Sequence, residues 1–249
     1  MIPDEPDSGK PGALANRVAT RLGARLQAAG NRLATTCLGC GARGAGSLCP
    51  ACFRDLPWND HPCTHCAAPL PELPGTLCGA CARRPPFFDA AAAAFVYAWP
   101  VNRLLQNFKF HGSLATGRVL ALALGEYLEL REETHPDVLI PVPLHRERLA
   151  ERGFNQASEL VRTLARSLGV PAAADILRRT RATPPQLGLD RQARRRNLRG
   201  AFACTSPVSG LRIAVVDDVM TTGSTAEAIA RVLKQAGAIE VRVYAVARA

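Results

Sequence analysis

The stretch Ile213-Ala214-Val215-Val216-Asp217-Asp218-Val219-Met220-Thr221-Thr222-Gly223-Ser224-Thr225 changes character twice in a few residues. Residues 213–216 form a short, uninterrupted apolar run, as expected of a strand covered on both faces. Two adjacent carboxylates, Asp217 and Asp218, close it. Small hydroxyl residues and Gly223 follow, and a helical pattern begins over residues 225–235. A strand that feeds a helix through a tight loop belongs to a parallel sheet, and such sheets bind ligands at the carboxyl ends of their strands. The loop N–H groups and the helix N-terminus form an anion cradle, to which Thr221, Thr222, Ser224 and Thr225 add hydroxyl donors. Gly223 lets the backbone approach the anion closely. Asp217 and Asp218 repel that same anion and suit sugar hydroxyls or a cation instead. An anion, a diol and a cation side by side describe a ribose 5-phosphate.

The pattern around this junction agrees. From Phe87 onward, strand-like runs at residues 91–97, 138–142, 213–216 and 241–247 alternate with helical runs at 101–107, 117–133, 156–168 and 225–235. In the third helix Ala157, Leu160, Val161, Leu164 and Leu168 share one face. The expected fold class is α/β, a parallel sheet with helices on both sides.

The cysteines mark off a different unit. Eight of the nine lie in four C-x-x-C knuckles, Cys37/Cys40, Cys49/Cys52, Cys63/Cys66 and Cys78/Cys81, and only Cys204 stands apart. Two thiolates three positions apart on a turn point at one tetrahedral ion, and two knuckles complete a closed structural zinc site. Disulfides need an oxidising compartment, and one redox dithiol does not need four knuckles. The simplest assignment places Cys37, Cys40, Cys49 and Cys52 on one zinc ion, and Cys63, Cys66, Cys78 and Cys81 on a second; interleaved pairing uses the same residues. His61 and His65 lie beside the third knuckle as alternative ligands. A segment of about 50 residues buries too little apolar surface to fold unaided, and metal ligation supplies the difference. The expected organisation is an N-terminal extension over residues 1–36, a zinc module over 37–86 and the α/β domain over 87–249. In the extension, Pro3, Pro6 and Pro11 sit among polar residues, and then Val18, Leu22, Leu26, Ala29 and Leu33 form one stripe of a helix packed on the remainder.

Charge is concentrated. The 249 residues carry a formal +10, yet residues 146–199 alone hold 13 Arg against five acids. Such a block suits a polyanion, either nucleic acid or a phosphate-rich small molecule, or else a solvated helical face. No apolar run approaches the roughly 20 residues that span a bilayer. The first ten residues hold three acids and no basic start, so the expected location is cytoplasmic.

VVDDVMTTGST (residues 215–225) resembles the phosphoribosyl diphosphate (PRPP) signature of type I phosphoribosyltransferases. IPVPLH (140–145), RGFNQ (152–156), TPPQ (183–186), RRRNLRGAF (194–202) and LQNFKFHG (105–112) together resemble the ComF family, whose members join a cysteine-knuckle zinc module to a phosphoribosyltransferase domain. The resemblance runs from about Cys37 onward. It implies that Asp217 and Asp218 hold the ribose hydroxyls and the surroundings of Mg²⁺, and serve as the catalytic pair. It implies that Thr221, Thr222, Gly223, Ser224 and Thr225 hold the 5-phosphate. Pro143, Leu144 and His145 occupy the pyrophosphate side, with Arg148 and Arg152 as its nearest fixed charges. The Arg-rich segment from Arg178 to Arg199, including Arg194, Arg195, Arg196 and Arg199, resembles the mobile loop that covers the site, with no warrant for choosing one Arg within it.

Two functional readings follow. In one, the chain transfers the phosphoribosyl group of PRPP to an unidentified acceptor and releases pyrophosphate. In the other, it acts without catalysis, contacting single-stranded DNA or docking a partner such as a competence helicase, with the fold as a nucleotide sensor; both readings place it in natural competence and DNA uptake.

Overall fold

Four parallel strands form the central sheet, in the order β1-β6-β5-β2: β1 is Ala90–Val96, β2 Val138–Pro141, β5 Arg212–Met220 and β6 Glu240–Arg248. The computed structural model describes residues 16–18, 20–22, 36–43, 48–71, 76–131, 135–181, 198 and 200–249. β5 and β6 are almost wholly buried because both faces are covered. On one face lie α3 (Val101–His111), α4 (Leu114–Leu130) and α6 (Gln156–Leu168); α7 (Ser224–Gln235) lies on the other. Beside α7 sits a two-stranded antiparallel hairpin of β3 (Leu177–Arg179) and β4 (Phe202–Cys204). These strands of three residues are too short to show a period, which is why the sequence pattern does not announce them.

Helix ends follow local chemistry. α4 starts three residues before the apolar pattern does, because Ser113 caps it by accepting the Thr116 N–H. α6 is capped by Asn155, whose side chain accepts the Ala157 N–H while donating to the Val142 carbonyl. Gly117 on α4 meets the Phe108 ring so closely that a Cβ there would lie 2.4 Å from it, so α3 and α4 cross only because that position carries no side chain.

Both sheet edges are occupied. Residues 171–173 run beside β2, with Leu139 N–H donating to the Pro171 carbonyl and Ala173 N–H to the Leu139 carbonyl. At the β1 edge, residues 57–59 lie antiparallel to the strand. Asn59 N–H donates to the Ala94 carbonyl at 2.9 Å, and Val96 N–H to the Pro57 carbonyl at 2.8 Å. These three residues join the two halves of the cysteine-rich segment, so the halves straddle the sheet edge.

The first half carries α1 (Pro50–Arg54) and packs into the core on the α4 face through Leu48, Phe53, Leu56 and Trp58, joined by Val18 and Leu22 of the N-terminal helix. The rest of that helical stripe, Leu26, Ala29 and Leu33, lies outside the described residues. The second half carries α2 (Gly79–Arg83) and meets the α7 face at Phe88. The Trp58 ring packs, tilted, with its centre 5.4 Å from that of Phe53 and 4.5 Å from that of Phe95 on β1. Replacing Trp58 by Ala should therefore cost about 3–5 kcal/mol and lower the urea midpoint of the whole chain, and not merely fray the module. A near-wild-type midpoint would show that the module is not part of the common core.

Candidate functional site

Two four-sulfur clusters are preformed. The sulfurs of Cys37, Cys40, Cys49 and Cys52 lie within 4.8 Å of one another, as do those of Cys63, Cys66, Cys78 and Cys81, so the pairing is consecutive. Both are built alike. Cys49 and Cys78 each cap a short helix, and their own N–H groups donate to the sulfurs of Cys37 and Cys63, at 3.2 Å in each case. A Cβ at Gly39 would lie 2.8 Å from the Cys52 sulfur, so this turn needs glycine. Burial opposes ionisation of Cys37, but the N–H groups of Cys40, Cys49 and Gly39 outweigh it and bring the thiol down to about 6. Burial likewise opposes ionisation of Cys63, and the N–H groups of Cys78, Cys66 and His65 bring it down to about 7. Burial, followed by contacts with the neighbouring sulfurs, pushes Cys52 and Cys81 up. Four sulfurs this close do not all ionise on their own; a bound dication removes the conflict, and the clusters fit closed structural zinc sites. His65 is occupied elsewhere, with its Nε2 2.6 Å from the Phe88 carbonyl oxygen.

The second site lies at the carboxyl end of the sheet. β5 continues four residues past Val216, the last residue it pairs with β2, while β6 stays beside it to Met220. Asp217 and Asp218 therefore belong to the strand, at the point where its β2 neighbour departs and a crevice opens. A shallow cleft lies there, lined by Val142, Asp217 and residues 219–226 among others. All five predicted phosphate-loop residues, Thr221, Thr222, Gly223, Ser224 and Thr225, line it. Gly223 has φ +74° and precedes α7 as a cap residue with no side chain; apart from the Ser224 N–H, which reaches the Thr222 hydroxyl at 3.4 Å, the helix N-terminus is left to the cleft. The Thr222 and Ser224 hydroxyls are 2.8 Å apart, a shared donor pair beside the cradle.

The two carboxylates have different surroundings. Asp218 is buried, and its Oδ2 lies 2.7 Å from Lys109 Nζ at the end of α3. Burial, reinforced by the Asp218 charge, pushes the Asp217 carboxyl up to about 7, although the Lys109 ammonium pulls it down. Lys109 lies inside the motif at residues 105–112, but sequence alone assigns it no role; that comes only when the fold sets it against an acid. Replacing Lys109 by Met should raise the Asp217 midpoint further, by about one unit, read by carboxyl carbon NMR. An unmoved midpoint would show that the ammonium does not set the charge of the pair.

The residues expected on the pyrophosphate side follow β2. Val142 N–H donates to the Val216 carbonyl, and Pro143, Leu144 and His145 lead into α5 (Arg146–Arg152). His145 is the cap of α5, accepting the Glu147 N–H at Nδ1 and lying 3.5 Å from the Glu147 carboxylate, which is a turn role. Arg152 donates to Gln156 Oε1 at 3.2 Å, and the Gln156 amide reaches the Lys109 carbonyl at 3.5 Å. Gln156 is 3% exposed and ties this loop to the helix carrying Lys109. Arg148 on α5 is half-buried. Of the Arg-rich segment, Arg194, Arg195, Arg196 and Arg199 lie outside the described residues. Arg179 on β3 is within electrostatic reach of both Arg148 and Asp217, its guanidinium 5.6 Å from the centre of the Phe202 ring. The hairpin thus selects one arginine that sequence reasoning left undistinguished.

A double zinc ribbon domain model matches residues 33–82, and a phosphoribosyl transferase domain model matches residues 127–249. Competence protein F of Haemophilus influenzae is 36% identical over 211 residues, covering 81% of this chain and 90% of its own. The chain is a member of the ComF family. DNA utilization protein YhgH of Escherichia coli K12 is 36% identical over 83% of this ComF chain and 92% of its own, and competence protein ComFC of Bacillus subtilis is 25% identical over 76% and 88%. A solved structure of glutamine PRPP amidotransferase from B. subtilis aligns over 52% of the chain and 26% of its own, at 22% identity and a TM-score of 0.36. The ComF chain has the type I phosphoribosyltransferase-like parallel sheet and the double zinc ribbon expected of it. Among the described residues, no helix is long and apolar enough to cross a membrane.

Proposed function

We propose that this chain binds PRPP with Mg²⁺ in the cleft at the end of β5 and transfers its phosphoribosyl group to a nitrogen nucleophile. One observation carries the reading: a strand-end carboxylate pair runs directly into a glycine-capped helix N-terminus through a loop of hydroxyl residues. The cradle takes the 5-phosphate, and Asp217 and Asp218 take the ribose hydroxyls. The carboxylates fit Mg²⁺ as well, because each raises the cost of ionising the other and a nearby dication offsets that repulsion. Mg²⁺ supplies charge neutralisation for the diphosphate. In the reaction, the bond between C1 of the ribose and a pyrophosphate oxygen breaks, the electron pair leaves with pyrophosphate, and the attacking nitrogen forms the new bond and sheds a proton. This chemistry rests on charge stabilisation more than on a strong base. Arg148 and Arg152 on α5 and Arg179 on β3 stand on the side where that charge leaves. Pyrophosphate release from PRPP across a panel of bases and amines tests the proposal. Release with one acceptor, lost when Asp217 is replaced by Asn, supports transfer; tight PRPP binding with no release from any member leaves a sensor.

The names of the relatives favour a second role for the same chain, in DNA uptake in the cytoplasm of competent cells. Exposed aromatics accompany the basic residues: Trp99 is 75% exposed and Phe110 67%, with the Arg152 guanidinium 5.7 Å from the Phe110 ring. Stacking platforms beside positive charge suit single-stranded DNA, and the zinc module suits docking of a helicase. The expected affinity for single strands falls steeply with salt, and weakens when Arg194, Arg195 and Arg196 are neutralised. A flat salt response would count against DNA contact.

A further inference from the structure

The second zinc cluster and the phosphate loop share a single arginine. Arg248, the last residue of β6, donates from Nε to the carbonyl of Cys66 at 3.1 Å. Its Nη1 donates to the carbonyl of Met220 at 3.1 Å and also to that of Thr221, the first residue of the loop. Four carbonyls thus converge on one planar fork: Cys66 of the metal knuckle, Met220 at the end of β5, Thr221 of the loop, and Ala249, which also accepts from Nη1. A lysine, with its compact ammonium, does not reproduce such an arrangement. A second route runs in parallel. His65, inside the same knuckle, bonds the Phe88 carbonyl, and the Phe88 ring lies 3.9 Å from where a Cβ of Gly223 would stand. Between the two routes is an open-sided pocket of about 280 Å³, walled by Cys66, Cys78 and Cys81 on one side and by Met220, Thr222 and Gly223 on the other. With a void between them, the knuckle and the loop are joined by few contacts, of which the Arg248 fork is the most directional. The first cluster has no such tie among the described residues; its half packs against the opposite face of the sheet.

We infer that Arg248 is a positioning residue for the phosphate loop, and that through it zinc occupancy of the second cluster and anion binding at the loop are thermodynamically linked, whereas the first cluster is not. Linkage is reciprocal: if zinc at the second cluster favours the closed loop, a ligand on the loop holds that zinc. The ligand half of this inference rests on the reading of the loop as a PRPP site; the loop-order half does not.

The test has two arms, both on the full zinc-loaded chain. In the first, without ligand, hydrogen exchange is followed in peptides spanning residues 221–225. Arg248→Gln, and separately the pair Cys78→Ser with Cys81→Ser, should speed exchange there by about 5-fold or more, the lower end of ordinary coupling. Cys49→Ser with Cys52→Ser should leave it unchanged, and metal analysis confirms which ion is lost. Wild-type exchange in Arg248→Gln, or equal acceleration from the first cluster, overturns the inference. Arg248→Gln retains every metal ligand, so this arm survives if the cysteine variants fail to fold. In the second arm, a chromogenic chelator strips zinc with and without Mg·PRPP. Release of one ion should slow about 5-fold or more in the wild type and not in Arg248→Gln, while Arg248→Lys keeps both zincs without restoring the effect. Equal slowing of both ions overturns the linkage. Calorimetry separates the two failures: no PRPP binding by the wild type rejects the ligand assignment, and the exchange arm still decides whether Arg248 couples cluster to loop.

Discussion

Replacing Asp217 and Asp218 together by asparagine lowers the affinity for Mg·PRPP by about 100-fold or more, measured by calorimetry at pH 8. A hydrogen bond to a charged group contributes about 1.5–3 kcal/mol, and the variant removes two such acceptors from the ribose side. The fold should survive. Asp217 is held up at about 7 by burial and by the Asp218 charge, so ionising it works against the folded state. Between the ordinary carboxylate range and about 7 the folded chain binds a proton that the unfolded chain has released; the stability this group confers is therefore full at low pH and lost as pH rises through that window. The Asp217→Asn variant should accordingly be at least as heat-stable as the wild type at pH 8. Ligand binding has the opposite sense, because sugar hydroxyls and Mg²⁺ want the carboxylate. Wild-type affinity should rise with pH up to about 7 and then level off, by more than PRPP's own titration explains, and the single Asp217→Asn variant should lack this extra rise. Undiminished affinity in the double variant would remove the carboxylates from the binding site.

Metal removal is the second large effect. Metal analysis should find two zinc ions per chain, and Cys37→Ser should leave one. Structural zinc in small modules contributes on the order of 10–16 kcal/mol to folding at neutral pH, more than most domains hold in reserve. Stripping both ions should unfold the ribbons outright. Because Leu48, Phe53 and Trp58 belong to the same core as α4 and β1, the loss should lower the melting temperature of the whole chain by more than 10 °C, seen by circular dichroism. A chelated chain that melts like the wild type would mean that the sulfurs hold no structural metal.

The fold was legible where residue type and geometry map closely onto each other. C-x-x-C spacing forces two sulfurs to one side of a turn, and consecutive pairing needed only the fold to bring neighbouring knuckles together. The β5–α7 junction was legible because an apolar run, an acid pair and a glycine at φ +74° each have few alternative homes. The strand itself ran further than its apolar residues, since pairing with β6 carries the two acids along. Lys109, Gln156, Arg179 and Arg248 were not legible. Each is an ordinary polar residue whose telling partner lies more than 20 positions away, as Gln156 to Lys109, Arg179 to Phe202 and Arg248 to Cys66 show, and no local period encodes such a meeting. Long-range polar pairs at the carboxyl end of the sheet are what the three-dimensional arrangement adds.

Residues 57–59 have a consequence for how the chain behaves in bulk. Their two hydrogen bonds occupy the Ala94 carbonyl and the Val96 N–H on the outer side of β1, a strand whose sequence is AAAAAFV. With the ribbons in place that rim is sealed. Once metal is lost and the segment lifts away, a flat and uncharged rim is bared, and nothing on it, neither lysine nor proline, discourages another copy from adding on. Metal-starved protein should therefore gather into particles whose growth steepens with concentration, seen by light scattering, while the zinc-replete protein stays dispersed. Chelated protein that remained monomeric at high concentration would show that the rim is protected some other way. On this view zinc governs the colloidal fate of the chain as well as its shape.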